Sequence, residues 1–271
     1  MSAEEKYLIQ KFGDEYLAYV YLVICFFFWA CANKQPILVP AEDPGVSLKI
    51  HIIRDTISQA YLIESPNGLV LVDTGAPGNE SKILKKMKEI GRADLKLILI
   101  THAHFDHYGC AKSLRETTGA PIAVHRADAH AMTKGQTPLG EVRSWGRVGK
   151  IFLSVAKIIW RTEQTPGDII VDEGFSLKRF GINAVVLHMP GHTPGSICLV
   201  LENNYVFVAD LLSSRPWLHV QSYYAHDWPQ VDDSLERLKQ LKPIMIFPGH
   251  GKPFLGSKLE NLQTCKKTNG F

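Results

Sequence analysis

Short apolar runs recur from residue 46 to residue 247, separated by turn-forming and charged residues. Their lengths and branched side chains predict strands over residues 46–53, 57–64, 69–73, 95–100, 122–125, 184–188, 197–201, 205–209 and 244–247. The pair Asn67-Gly68 between the second and third run indicates a hairpin. Apolar residues at helical spacing predict helices between the strands, over residues 83–90, 110–117 and 235–241. This alternation of strands and helices is typical of an α/β fold.

The N-terminal part of the chain has a different pattern. Residues 16–32 are almost all apolar, which is at the short end of the roughly 17–25 residues that span a bilayer. The acidic residues before them fit a secretory signal poorly. We predict an N-terminal apolar helix that holds the protein at a membrane. For the segment itself, the alternatives are a buried helix, or residues foreign to the fold that an upstream start codon adds. For the location, the alternative is cytoplasmic.

Three prolines between residues 34 and 45 indicate a linker. The predicted divisions are therefore an N-terminal segment with its linker (1–45), a main domain (46–256) and a C-terminal helix or tail (257–271). A single large domain or two small ones would be consistent with the chain length.

A basic stripe is predicted on a helix over residues 143–161. Its members recur at alternating steps of four and three, which places them on one helical face: Arg143, Arg147, Lys150, Ser154, Lys157 and Arg161. Such a helix can lie on an anionic membrane surface with its apolar side inserted. It can equally pack that apolar side on the body of the protein and expose the stripe to water.

Composition limits the classes of partner. The formal net charge is only +3, whereas a dedicated nucleic-acid binder normally carries a strongly basic face. The five cysteines are scattered and form no CxxC pair, so a disulfide scaffold is not indicated. A small-molecule partner is more consistent with this composition than a nucleic acid.

The strongest chemical signal is the segment Thr101-His102-Ala103-His104-Phe105-Asp106-His107. It follows the predicted strand 95–100, so it lies in the loop at a strand's C-terminal end, where α/β proteins commonly carry their chemistry. Three imidazoles and a carboxylate are costly to bury without partners. They are the donors that zinc, iron and manganese accept, and the segment therefore predicts a metal site.

Three further ligand-type residues each follow a predicted strand in the second half of the chain: His192, Asp210 and His250. Ligands from several strand ends can converge in one crevice. Asp73 also ends a predicted strand, and it either orients a ligand from behind or caps a turn. His125 and His130 have no partner spacing, and we interpret them as structural.

The ordered pattern His-x-His-x-Asp-His, followed by a later His, Asp and His, resembles that of the metallo-β-lactamase-fold hydrolases over residues 46–256. The resemblance implies a four-layer αββα sandwich, in which helices flank two mixed sheets and two metal ions lie at one edge. Zinc is the expected metal, with iron and manganese as alternatives. The implied ligands are His102, His104 and His192 for one metal, Asp106, His107 and His250 for the other, and Asp210 as a bridge.

The resemblance also implies a reaction. A hydroxide that bridges the metals would attack an ester, thioester or lactone, and Asp106 would orient it and move its proton as the catalytic residue. Asp210 stands where the antibiotic-hydrolysing branches carry cysteine or serine, so a glyoxalase II-like or lactonase-like branch is favoured over a true β-lactamase. Only about twenty residues follow His250, too few for the helical domain of glyoxalase II. Ser213 replaces a tyrosine of the lactonases, for which Tyr223 or Tyr224 could substitute.

Other functions remain open at this point. A mononuclear iron persulfide dioxygenase shares ligands of the His102, His192 and Asp210 type, and a phosphodiesterase acting on a small or lipid-like phosphodiester is a further alternative. The non-enzymatic alternative is a metal-binding scaffold. The loop after Asp210 is expected to contact the substrate through Ser213, Arg215 and Tyr223, with Arg215 either meeting an anionic group or pointing into solvent. A membrane surface is a second expected partner, through residues 16–32 and the stripe 143–161.

Overall fold

A computed structural model describes residues 48–143 and 162–263. Its strands are β1 Lys49–Arg54, β2 Gln59–Ser65, β3 Gly68–Val72, β4 Leu95–Ile100, β5 Ile122–His125, β6 Glu141–Val142, β7 Ile169–Val171, β8 Ala184–His188, β9 Ile197–Leu201, β10 Tyr205–Ser213, β11 His219–Val220, β12 Tyr224–Ala225, β13 Met245–His250 and β14 Phe254–Leu255. Its helices are α1 Glu80–Glu89, α2 Phe105–Tyr108, α3 Ala111–Thr118, α4 Arg126–Thr133 and α5 Trp228–Gln240, with 3₁₀ turns at Lys178–Phe180 and Gly256–Asn261.

These strands form two mixed sheets and a short ribbon. The first sheet has the order β1-β2-β3-β4-β5-β7, antiparallel from β1 to β3 and parallel from β3 to β7. The second has the order β14-β13-β10-β9-β8, with β11 also paired to β10, and only β10 and β13 are parallel neighbours. β6 and β12 make the two-stranded ribbon. The predicted α/β fold with two mixed sheets is thus confirmed.

The two sheets pack face to face through aromatic side chains. Tyr61 of β2 contacts Phe207 of β10 and Phe247 of β13, with ring centroids 5.1 and 5.5 Å apart. Successive strand residues point to opposite faces, so the neighbours of Tyr61 along β2 point away from the second sheet. This contact joins the two halves of the described chain in one core.

Helices cover the outer faces of both sheets. On the first sheet, Leu62 packs in a buried cluster with Ile83 of α1 and Leu114 of α3. On the second, Val206 and its neighbours pack against the apolar side of α5, which includes Leu235. Fully burying one such aliphatic side chain contributes about 1.5–3 kcal/mol. The resulting order is helices, sheet, sheet, helix, as the αββα expectation requires.

The helix α5 begins earlier than the apolar spacing predicts. The Asp227 side chain accepts a hydrogen bond from the Gln230 amide at 3.0 Å, which satisfies one of the free N–H groups at the helix start. Pro229 occupies the first turn, where its missing N–H costs nothing. These capping residues, and not the leucine repeat, set the beginning of the helix at Trp228.

Several predicted bounds agree with the structure and others do not: β2 begins at Gln59, for example, and β3 ends at Val72, before Asp73. β5, β8 and β9 have the predicted ends, and the Asn67-Gly68 hairpin joins β2 and β3. The expectation that Asp210 and His250 each follow a strand is wrong: β10 continues to Ser213, and β13 ends at His250 itself. The two strands stay paired through register shifts on either side of Ala209, a continuation that apolar patterning does not signal.

Two of the predicted features fall largely outside the described residues. The apolar segment 16–32 lies wholly outside them, and so does the basic stripe apart from Arg143. Among the helices of residues 48–143 and 162–263, none has the length and apolarity that crossing a bilayer requires.

Candidate metal centre

The loop between β4 and α2 is held in place by hydrogen bonds to the end of β3. The Thr101 amide and hydroxyl donate to the Asp73 carboxylate at 2.8–3.0 Å. The Thr74 amide donates to the His107 carbonyl at 2.7 Å. The loop therefore leaves the buried strand with its direction fixed, and its histidines turn into the interior.

The structure brings the seven predicted ligand residues together in two adjoining groups. One group is His102, His104, His192 and Asp210, and the other is Asp106, His107 and His250. Within each group, one candidate ligand atom per residue lies within 4.8 Å of the others. Metal binding by these residues stays a prediction, but their convergence from the β4–α2 loop, α2, β10, β13 and the loop after β8 is a property of the fold.

Asp210 lies in the middle of four imidazoles. Its carboxylate oxygens are 3.2 Å from Nε2 of His107 and of His250, 3.5 Å from Nε2 of His192 and 3.9 Å from Nε2 of His102. The two groups therefore share this carboxylate, as the bridging role assigned to Asp210 requires.

Each of the five histidines uses its outer ring nitrogen in a hydrogen bond. The acceptors are the Thr101 hydroxyl for His102, the Pro138 carbonyl for His104, the Asp73 carboxylate for His107, the Tyr224 carbonyl for His192 and the Ile57 carbonyl for His250, at 2.7–3.1 Å. A carbonyl or carboxylate can only accept, so the outer nitrogen facing it carries the proton. The Thr101 hydroxyl already donates to Asp73, so it too accepts from the outer nitrogen of His102. In a neutral ring the inner nitrogen then presents a lone pair.

The inner atoms satisfy one another only in part: Nε2 of His250 lies within hydrogen-bond distance of Asp210 Oδ2, at 3.2 Å. Among the described residues, Nε2 of His102, Nε2 of His107 and Oδ1 of Asp210 are buried with no hydrogen-bond partner. Nδ1 of His104 and Nε2 of His192 face each other at 3.1 Å, with the proton of each neutral ring on its far side. Buried lone pairs in such contact repel one another unless a cation lies between them. The donor set therefore fits divalent metal ions of the type that imidazole and carboxylate bind.

Burial and charge divide the histidines into two classes. Burial lowers the pKa of His102, His104 and His192, in the last case to about 3, so these rings are neutral at pH 7, as metal ligands must be. Burial also lowers the pKa of His107 and His250, but nearby carboxylates, Asp210 foremost, raise it more, and both end above their ordinary value. This second group therefore attracts positive charge.

Asp73 is buried behind His107 and takes a left-handed backbone conformation with φ of 57°. Its Oδ2 accepts a hydrogen bond from His107 Nδ1 at 2.8 Å, and its carboxylate also receives the Thr101 donors. Of the two roles considered for Asp73, these contacts favour that of orienting a ligand.

Asp128 joins the two ligand loops, and no sequence motif singled it out. This buried carboxylate on α4 accepts from the Ala103 amide at 2.8 Å, the Thr193 hydroxyl at 2.7 Å and the Gly195 amide at 2.7 Å. Ala103 lies between His102 and His104, and Thr193 follows His192. The three donors come from residues distant in sequence, so only the folded arrangement reveals the role of Asp128.

We expect Asp128→Asn to weaken metal binding about 10- to 100-fold, as outer-sphere substitutions do. Asparagine keeps the size of the side chain but turns an amide NH₂ toward donors that need an acceptor. Affinity is measured by competition with a chelator of known strength. Asp168→Asn is the matched control, because Asp168 also accepts a backbone amide, that of Ile122 at 2.9 Å, on a loop far from the ligands. Equal metal affinity in both variants and the parent protein would contradict the prediction.

Gly249 permits the closest approach within the centre. A Cβ atom at this position would lie 2.6 Å from Asp210 Oδ1 and 2.7 Å from His107 Cε1. Gly249 has no left-handed φ, so glycine is needed here for space and not for backbone conformation. The backbone of β13 thus forms one wall of the centre.

Of the three predicted substrate residues, Ser213 pairs with His250, and both Ser213 and Arg215 are engaged within the protein. The Ser213 hydroxyl bonds to the backbone of Arg215, and Nη1 of Arg215 donates to the carbonyls of Thr56 and Ile57 at 3.1 and 3.4 Å. The structure therefore gives Arg215 a third arrangement, tied to the β1–β2 loop. Tyr223 is half-buried and packs beside Tyr224.

His125 and His130 lie apart from the two ligand groups. The His125 ring accepts a hydrogen bond from the Ala127 amide at the start of α4 and stacks on His188 with ring centroids 4.1 Å apart. His130 is exposed on α4. Both positions are consistent with the structural interpretation.

Comparison with known proteins gives a consistent result. A family model described as the metallo-beta-lactamase superfamily matches residues 53–250. The probable metallo-hydrolase YflN of Bacillus subtilis is 25% identical over 240 residues, covering 78% of this chain and 87% of its own length. The hydroxyacylglutathione hydrolase GloC of Haemophilus influenzae is 26% identical over 238 residues, covering 78% of this chain and all of its own.

Solved structures share the fold. The crystal structure of TTHA1623 in a di-iron-bound form is 28% identical with a TM-score of 0.58, and the match covers 80% of this chain and 98% of that one. The metallo-beta-lactamase family protein TTHA1429 from Thermus thermophilus is similar in fold, with a TM-score of 0.60 at 24% identity. The match covers 80% of this chain and 78% of that one.

Proposed function

The chain belongs to the metallo-β-lactamase superfamily, and from that premise we propose that it is a hydrolase of carbonyl esters, thioesters or lactones that uses two metal ions. The observation that carries the proposal is the set of inner ring nitrogens that converge on the shared carboxylate of Asp210. The name of the relative GloC, a hydroxyacylglutathione hydrolase, supports thioesters as the substrate class. The di-iron form of TTHA1623 supports a two-metal centre and leaves iron beside zinc as the metal.

In this proposal His102, His104 and His192 hold one ion, Asp106, His107 and His250 hold the other, and Asp210 lies between them. Bound divalent ions supply Lewis acidity, which makes water a nucleophile near neutral pH and polarises a substrate carbonyl. The outer hydrogen bonds keep each imidazole in the tautomer that can bind an ion.

Asp106 is the residue that moves the proton of the attacking water. Its Oδ2 lies 3.5 Å from His250 Nε2 and 3.8 Å from His107 Nε2, at the edge of the second group. A carboxylate within hydrogen-bond reach of the reacting water can take its proton and pass it to the leaving group.

Tyr224 is suited to assist at the substrate oxygen. Burial raises its pKa to about 12, with the negative charge of Asp106 adding to the effect. The phenol therefore keeps its proton at neutral pH and can donate a hydrogen bond where negative charge develops. Of the two tyrosines considered from the sequence, Tyr224 is the one whose backbone carbonyl accepts a hydrogen bond from a candidate ligand, His192 Nδ1, at 2.9 Å.

The alternative dioxygenase activity is less consistent with the site. That reaction uses one iron held by ligands of the first group, which leaves Asp106, His107 and His250 without a role. All three are held close together here.

Removal of metal tests the proposal directly. We expect the metal-stripped protein to lose at least about 10³-fold of its kcat/KM on a simple thioester, roughly 4 kcal/mol of transition-state stabilisation. Titration with zinc, iron(II) or manganese should restore activity at two equivalents, counted by elemental analysis. Full activity without metal would refute the proposal. Saturation at one equivalent, with oxygen uptake on a persulfide, would favour the dioxygenase.

A further inference from the structure

A row of aromatic rings leads from the metal centre to the protein surface. It consists of Tyr224, Tyr223, His219 and Trp217, with successive ring centroids 6.4, 5.7 and 6.3 Å apart. The first three rings are half-buried, whereas Trp217 is 65% exposed and is one of few large apolar side chains so exposed in the described ranges. We call these four residues the aromatic row.

The aromatic row is held rigidly to the strand that carries Asp210. β11 pairs with the end of β10, placing His219 opposite Ser213. The buried Gln221 side chain donates to the Asp210 carbonyl at 3.2 Å and accepts the amides of Ser222, Tyr223 and Tyr224 at 3.0–3.4 Å. Because the backbone that carries the rings is fixed before any ligand arrives, less ordering entropy is lost on binding.

The inner end of the row adjoins the ligands themselves. The Tyr224 carbonyl accepts a hydrogen bond from His192 Nδ1 at 2.9 Å. His219 lies opposite Ser213, and Ser213 pairs with the candidate ligand His250 across β10 and β13. The row is therefore continuous with the place where a scissile carbonyl would lie.

Among the described residues, the charged side chains beside the row are held by other partners. The Arg143 amide donates to the Tyr223 carbonyl at 3.0 Å, but the Arg143 guanidinium donates to Glu141 and lies over the Trp228 ring. Arg215 is the single charged residue between positions 214 and 225, and its Nη1 already donates to the carbonyls of Thr56 and Ile57. Rigid aromatic faces bind apolar and aromatic groups well, but they provide no partner for a carboxylate. A glutathione conjugate carries two carboxylates, so this surface matches it poorly.

We propose that the aromatic row binds an apolar acyl or aryl group of a neutral ester or thioester, with the scissile carbonyl at the metal centre. This proposal rests on the hydrolase function above and specifies its substrate class. It separates this chain from relatives named for glutathione thioesters, because binding depends on the apolar area covered by Trp217 and Tyr223 and not on charge.

The test uses metal-loaded full-length protein and neutral S-acyl-N-acetylcysteamine thioesters, with release of the thiol as the signal. Each methylene removed from water favours binding by up to about fourfold, so we expect kcat/KM to rise at least about tenfold from acetyl to octanoyl. Trp217→Ala should lower the octanoyl-to-acetyl ratio about fivefold or more, since it removes most of the exposed ring surface. S-lactoyl-N-acetylcysteamine should be hydrolysed better than S-lactoylglutathione.

Leu255→Ala is the matched control. Leu255 is 56% exposed on the same sheet, but it pairs with Met245, at the opposite end of β13 from His250. The Leu255→Ala substitution should therefore leave the octanoyl-to-acetyl ratio of kcat/KM unchanged. A flat chain-length profile, an equal loss on all thioesters in Trp217→Ala, or a preference for the glutathione conjugate would overturn the proposal. So would a dimer that Trp217→Ala converts to monomers, because a second copy would then cover the row.

Failure of the hydrolase function has a different signature. If no ester, thioester or lactone is hydrolysed, the proposed function fails. Calorimetry then tests separately whether the row binds a non-hydrolysable octanoyl amide. Binding that Trp217→Ala weakens about fivefold or more supports an apolar-ligand site, whereas no binding to the parent protein rejects it.

Discussion

Asp210→Asn is expected to reduce kcat/KM by at least about 10³-fold, or roughly 4 kcal/mol, and to lower the metal content below two ions per chain. Asparagine preserves the shape of the side chain but removes the negative charge that four imidazole nitrogens approach within 3.9 Å. Two divalent cations in one small site repel each other strongly unless a carboxylate lies between them. Elemental analysis and steady-state kinetics measure the two effects.

The control for Asp210→Asn is Asp233→Asn, which makes the same chemical change at an exposed position on α5. It should retain both metal and activity. Thermal unfolding of the metal-free proteins separates loss of metal from loss of fold. Two bound ions and parental activity in Asp210→Asn would exclude the bridging role.

Gly249→Ala is expected to reduce kcat about 10²-fold or more, because a displacement of about 1 Å at a reacting group costs that much. The added methyl group would lie 2.6 Å from Asp210 Oδ1 and 2.7 Å from His107 Cε1. Neither contact can be relieved without moving a ligand or the β13 backbone. A changed absorption spectrum of the cobalt-substituted protein would report the altered ligand geometry independently of turnover.

Gly91→Ala provides the corresponding control. Gly91 has a φ of 68°, and a methyl group added there would have nothing within 4 Å. It lies before β4, at the end of the strand away from the histidines. The substitution should cost about 1 kcal/mol of stability through backbone strain and leave turnover per metal-loaded molecule unchanged. If both glycine variants lose activity in proportion to their stability, the steric account of Gly249 is wrong.

Much of the fold follows from local pattern. β5, β8 and β9 could be predicted to the residue because each is a short apolar run that turn-forming or polar residues interrupt. The ligand candidates could likewise be read from residue type, since three histidines and an aspartate are rarely buried together in one loop unless they bind something.

The remainder depends on contacts between distant parts of the chain. β10 extends beyond Ala209 because β13 keeps pairing with it across a register shift. The sequence of β10 alone does not indicate which strand it pairs with, so this extension could not be predicted. Asp128 resembles an ordinary first-turn carboxylate on α4 until Ala103, Thr193 and Gly195 surround it. For Arg215, the acceptors lie in a loop more than a hundred residues earlier.

The hydrogen bond from His250 to the Ile57 carbonyl joins residues 193 positions apart, and this has a consequence for how the protein matures. Four candidate ligands, from His102 to His107, leave the ribosome within six residues of one another, whereas Asp210 and His250 follow His107 by 103 and 143 residues. Long-range contacts of this kind form late in folding. On the proposed two-metal site, an ion captured early would meet only the local loop, so we expect stable loading only once the fold is complete.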